Sequence, residues 1–132
     1  MNVSLRKLLV LPSLALGFAC AHEVGTTMNA RVMTRAQGTS VIQPVNGASV
    51  ALACPQGSTQ ELGKTDATGD LHADYATAMP MDCSFVVSQP GLRSYTVRVS
   101  DVCIELAHGG CQTADLRTVL APATTGSAGG VR

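Results

Sequence analysis

Two stretches of alternating apolar residues flank the turn Thr65-Asp66-Ala67-Thr68-Gly69-Asp70, and that arrangement restricts the chain to few folds. Upstream, Ala48, Val50, Leu52 and Cys54 share one phase of a period-2 pattern, which is the signature of a half-buried strand. Downstream, Leu71, Ala73 and Tyr75 repeat the alternation, with His72 and Asp74 facing the other way. Asp66 and Thr68 are able to bond nearby backbone amides, and Gly69 can take the left-handed conformation of a tight strand-to-strand turn. A second turn, Asn46-Gly47, opens the upstream strand, because both residue types tolerate positive φ.

The same pattern recurs along the chain. It predicts a first strand over 28–34, with Met28, Ala30 and Val32 on one face and Asn29, Arg31 and Met33 on the other. Residues 35–46 read as a loop, 48–54 as the second strand, 60–65 as a weakly patterned third and 71–75 as the fourth. Residues 76–82, with Pro80, read as an irregular crossover. The β-branched run 83–88 is a fifth strand. After the turn Gln89-Pro90-Gly91, residues 92–101 alternate Tyr95, Val97 and Val99 against Thr96, Arg98 and Ser100. Residues 113–120 supply a last strand with Leu116 and Leu120 inward. No helix of ordinary length is patterned after residue 21. The expectation is an all-β, seven-stranded antiparallel β-sandwich.

Two Phe, two Tyr and no Trp leave the core to Val, Leu, Ala and Met. So lean a core calls for an added constraint. Cysteines can supply it. Setting Cys20 aside, Cys54, Cys83, Cys103 and Cys111 remain, and four cysteines allow three pairings. Cys54 shares a face with Val50 and Leu52, and Cys83 with Phe85 and Val87, so antiparallel neighbours would bring these two thiols together. Cys103 and Cys111 bracket Ala107-His108-Gly109-Gly110, a hairpin loop. Cys54–Cys83 and Cys103–Cys111 are therefore the predicted disulfides. On the chain-entropy model the longer loop contributes about 3.5 kcal/mol and the shorter about 2.5.

Pro44, Val45, Gly47, Ala48 and Val50, followed by Gly63-Lys64-Thr65-Asp66, Gly69, Leu71 and then Pro90-Gly91, resemble the carboxypeptidase regulatory-like family. The resemblance covers roughly residues 27–121, although Leu71 stands where that family usually carries an aromatic. It implies a transthyretin-like (prealbumin-like), Greek-key sandwich. It also implies a non-catalytic module with an accessory or binding role.

The amino terminus carries a different signal. Arg6-Lys7 precede an eleven-residue apolar segment, Leu8 to Phe18, and small residues follow at Ala19-Cys20-Ala21. A permanent membrane helix needs about 20 residues, so residues 1–21 are expected to be a signal peptide. Two cleavages compete. Ala19-Cys20-Ala21 is an Ala-x-Ala site that would leave His22 first. Gly17-Phe18-Ala19-Cys20 resembles a bacterial lipobox, with cleavage before a diacylated Cys20. Residues 22–26 would then be a flexible tether, and 122–132, rich in Gly, Ser, Ala and Thr, a disordered tail.

Other chemistry finds little support. Cys103, His108 and Cys111 with Asp115 offer zinc-ligand types, but at a spacing no common zinc module uses, and an exported chain favours the disulfide. Asp66, Thr68 and Asp70 alternate like calcium ligands, yet the twelfth and sixth positions of such a loop hold Thr77 and Leu71. No nucleophile motif or phosphate loop is present, and Lys64 is the only lysine outside the signal peptide. Nine Lys and Arg balance nine Asp and Glu, so nothing predicts nucleic acid as a partner. The sequence thus predicts no catalytic residue, metal or cofactor. It predicts an exported envelope lipoprotein, membrane-anchored through Cys20, with an accessory, adhesive or protein-binding role toward an envelope component. The alternative is a periplasmic or surface protein that binds a small carbohydrate or peptide. That reading asks for an aromatic-lined pocket with Tyr75 exposed at its rim.

Overall fold

The computed structural model describes residues 25–123. The expected signal peptide, Cys20, most of the expected tether and residues 124–132 of the expected tail lie outside the described residues. Nine strands and one helical turn follow in order among the described residues: β1 (Thr26–Arg35), β2 (Ile42–Pro44), β3 (Ser49–Ala53), β4 (Thr59–Lys64), β5 (Asp70–Tyr75), β6 (Ser84–Ser88), β7 (Tyr95–Arg98), α1 (Val99–Val102), β8 (Cys103–Ala107) and β9 (Gly110–Leu120).

They form two sheets. The first runs β2-β1-β9-β8, with β5 lying beside the first half of β1 where β2 has not yet begun. The second runs β4-β3-β6-β7. The chain lays β1 and β2 in the first sheet, β3 and β4 in the second, and returns for β5. It crosses again for β6 and β7, and α1 carries it back to β8 and β9. The all-β sandwich is thus as expected. Two details differ. There are nine strands rather than seven, and β1 and β9 run parallel, with Thr27 opposite Thr113 and Thr34 opposite Leu120. These first and last strands are joined through the whole second sheet, which leaves room for the long connection a parallel pair needs.

The inward phases are those expected. Met28, Ala30, Val32, Ala114, Leu116 and Leu120 from the first sheet face Ala48, Val50, Leu52, Cys83, Phe85 and Val87 from the second, all buried. Phe85 is the one aromatic among the fully buried side chains of the described residues. Several boundaries shift for physical reasons. Ile42-Gln43-Pro44 is too short to show a period, so β2 hides in the expected loop. Residues 60–65 read weakly because the register slips between Val50 and Ala51, leaving Leu62 as an extra residue before Gly63. Such a bulge breaks alternation. The strand expected over 92–101 covers only Tyr95–Arg98. Val99 then buries its side chain and donates its N–H to the Cys83 carbonyl at 2.9 Å, which starts the turn of α1. β8 precedes the expected hairpin loop, in a segment where no strand was expected, and is bulged twice against β9.

Two ends of the domain are also redrawn. Thr26, expected in the tether, is buried at the start of β1. Its hydroxyl accepts from the Met79 N–H at 2.8 Å and faces the carbonyls of Cys111 and Thr77. Met79 exchanges backbone bonds with Cys111 at 3.0 and 2.8 Å, so the crossover 76–82 plugs that end of the sandwich. At the other end Pro122 bridges Leu92, and the Ala123 N–H donates to the Gly91 carbonyl at 3.0 Å. Pro122 and Ala123, expected in the tail, are therefore tied to the domain.

Candidate functional site

The outer face of the first sheet gathers the polar half of three strands. Each inward residue of β1 is followed by an outward one, so Thr27, Asn29 and Arg31 face away from the core. The register sets them in rows. Asp74, Thr27 and Thr113 form one row, which Glu105 extends. His72, Asn29 and Asp115 form the next, and Asp70, Arg31 and Arg117 the third.

Neighbours within and between these rows bond to one another. Arg31 Nε donates to Asp70 Oδ1 at 2.8 Å. His72 Nδ1 lies 2.7 Å from Asn29 Oδ1, and Arg117 Nε lies 3.2 Å from Asp115 Oδ2. The charges alternate along Asp70, Arg31, Asp115 and Arg117, and the Arg31 guanidinium is held more firmly protonated by the Asp70 hydrogen bond and charge. A shallow depression of about 340 Å³ opens here, bounded by Arg31, Asp66, Asp70, His72, Asp115 and Arg117 among others. Its rim can donate from guanidinium and imidazole and accept at carboxylates, which suits a polar partner. No hydroxyl or thiol in it is paired with a base as acyl transfer requires.

The turn residues named from sequence sit beside this face. Asp66 Oδ1 accepts from the Thr68 N–H at 2.9 Å, the Thr68 hydroxyl at 2.6 Å and the Asp70 N–H at 3.0 Å. The Thr68 hydrogen bond comes first among the causes that hold the Asp66 carboxyl below its ordinary range. Asp70 is lowered too, first by Arg31 and then by Thr68. Gly69 adopts φ +79°, and a Cβ there would lie 2.5 Å from the Val32 carbonyl oxygen. Gly47 adopts φ +82° after Asn46, and its N–H donates to the Thr65 carbonyl at 2.8 Å. Sequence reasoning gave Thr65 no structural role, yet it is buried and staples this turn. Its hydroxyl donates to the Val45 carbonyl and accepts from the Ala48 N–H at 2.9 Å. A threonine hydroxyl carries no periodic signal, so only the turn context could have marked it.

All four cysteines named from sequence are paired as expected. Cys54–Cys83 closes with Cα atoms 4.2 Å apart, one step beyond the β3–β6 pair Ala53 and Ser84. Cys103–Cys111 links β8 to β9 with Cα atoms 5.7 Å apart. These thiols are thereby removed as metal ligands, and His108 stands exposed at the hairpin tip with φ 49°. Among the described residues no group of three or more His, Cys, Asp or Glu could hold a metal ion. Tyr75 packs against the core and does not line the depression. Bridges of this kind persist in oxidising compartments outside the cytosol.

No protein-family profile matches the chain. No curated protein is similar to it in sequence. In structure it is similar to GBS52, the minor pilin of the Gram-positive pathogen Streptococcus agalactiae, at 14% identity and a TM-score of 0.48. That likeness covers 77% of this chain and 46% of the pilin, so the chain spans under half the pilin's length. The class is defined by the chain's own sheets: a two-sheet β-sandwich braced by two disulfides.

Proposed function

We propose that this is an exported, non-catalytic β-sandwich module of the carboxypeptidase regulatory-like type, held at the cell envelope by a diacylated Cys20. Residues 1–21 are its signal peptide, and a short tether ends before Thr26. Its role is accessory or adhesive, toward a protein or another envelope component. The observation that supports this most is the outer face of the first sheet. Neighbouring strands pair Arg31 with Asp70 and Asn29 with His72, and β9 pairs Arg117 with Asp115, a pre-set polar surface of the kind recognition uses. The family reading is supported by Gly47 and Gly69, two of the resembling residues, which stand where a side chain would be strained. The small-ligand alternative loses its main support, since Tyr75 lies away from the depression.

The test compares affinity capture from envelope extracts by the lipidated protein and by Arg31→Ala/Arg117→Ala. A partner held by the wild type and lost from the variant, with the urea midpoint unchanged, supports the reading. Equal capture by both moves recognition to another surface.

A further inference from the structure

The end of the sandwich where β1 begins also carries the two most exposed large apolar side chains among the described residues, ahead of Val41 and Ile42 at the opposite end. Leu106 is 71% exposed and Ile104 63%, both on β8, the edge strand of the first sheet. Leu106 stands opposite Cys111, and the Thr26 hydroxyl bonds to the Cys111 carbonyl. Leu106 is thus two strand spacings, about 10 Å, from the column of Thr26. Six residue steps separate Thr26 from Cys20, a reach of at most about 20 Å. A lipid on Cys20 would tether this end of the domain within about 20 Å of a bilayer.

The chemistry of β8 indicates which occupant fits. Its two bulges against β9 kink the edge, which disfavours docking of another strand. Its sequence, Cys-Ile-Glu-Leu-Ala, carries no Lys or Arg to attract anionic headgroups. Glu105 turns toward the outer face, where Thr113 Oγ1 lies 3.5 Å from its carboxylate. What remains is apolar surface at the height of the tether.

We infer that Ile104 and Leu106 form a membrane-resting edge: they insert into the interfacial layer of the bilayer to which Cys20 is anchored. The inference rests on the lipoprotein reading. It adds an orientation, with the β8–β9 hairpin toward the lipid and the β1–β2 hairpin away from it. Two acyl chains supply retention, and the apolar side chains fix the tilt.

The chain has no Trp, so a single introduced one reports its own surroundings. Leu106→Trp places it at the proposed contact. Val41→Trp places it at the far end of β1, at a site that is 60% exposed. Lipidated protein from the envelope is reconstituted in phosphatidylcholine vesicles, and the mass of the terminal peptide first reads the anchor. With Cys20 lipidated, the expected result is a blue shift and quenching by brominated lipid for Leu106→Trp only, unchanged by high salt. Equal emission from both variants overturns the orientation and leaves the anchor standing. A shift of Leu106→Trp that appears without vesicles and grows with protein concentration assigns the patch to a second copy and also overturns it. An unlipidated terminus at His22 overturns both readings together. In the wild type, amides 104–108 should exchange more slowly on vesicles than in detergent-free solution after removal of the lipid. Unchanged exchange there contradicts the contact without any substitution.

Discussion

Cys54 and Cys83 face each other across β3 and β6 as the next step of a ladder that already pairs Val50 with Val87 and Leu52 with Phe85. The bridge therefore extends the apolar register of the second sheet and locks the strand phase of both halves of the core. A one-residue slip in either strand would turn a thiol outward together with Phe85 or Leu52.

Removing this bridge is expected to cost more than removing the other. The sequence separations are 29 and 8 residues. Chain entropy assigns about 3.5 kcal/mol to the longer loop and about 2.5 to the shorter. Urea unfolding of Cys54→Ala/Cys83→Ala and of Cys103→Ala/Cys111→Ala measures both. A smaller loss for the first pair would contradict the entropic origin of the brace.

Thr65→Val is expected to destabilise by about 1–3 kcal/mol, because it leaves the Val45 carbonyl and the Ala48 N–H without their buried partner. Thr65→Ser keeps the hydroxyl and should recover most of that loss. Denaturant midpoints of the two variants decide it, and a Thr65→Val midpoint at or above that of Thr65→Ser would mean that the methyl group, not the hydroxyl, matters.

Gly69→Ala and Gly38→Ala separate backbone strain from crowding. Both glycines have similar positive φ, +79° and +75°. The added Cβ meets the Val32 carbonyl at 2.5 Å in the first case and nothing within 4 Å in the second. Gly38→Ala is expected to cost about 1–2 kcal/mol for the left-handed backbone alone. Gly69→Ala should cost clearly more, as read by thermal or urea unfolding.

The same turn gives an acid signature. Asp66 and Asp70 are held below the ordinary carboxylate range in the folded state, so the unfolded chain binds their protons more tightly. Their stabilisation is present above the unfolded value, near pH 4, and is lost as pH falls through the folded values. Asp66→Asn should flatten the fall of the urea midpoint in that acid range. An unchanged slope would assign the acid sensitivity elsewhere.

Much of the fold is legible because its core strands alternate cleanly. The phases of Val50, Leu52 and Cys54, and of Cys83, Phe85 and Val87, are local facts, and the disulfide follows from them. The missed elements carry no such pattern. β2 is three residues long, and β8 exposes the apolar Ile104 and Leu106; β4 is legible but weak, because the bulge at Leu62 and Gly63 erases its period. The parallel pairing of β1 and β9 depends on how the two sheets stack. The polar face was invisible for the same reason. Asn29, His72 and Asp115 lie far apart in sequence and meet only through two strand registers.

The proposed display of this sandwich from the envelope on a lipidated cysteine is tested by metabolic labelling with a fatty-acid analogue, in cells expressing the wild type or Cys20→Ala. Label is expected on the wild type and none on Cys20→Ala, with both proteins exported. An unlabelled wild type whose mature terminus is His22 would contradict it.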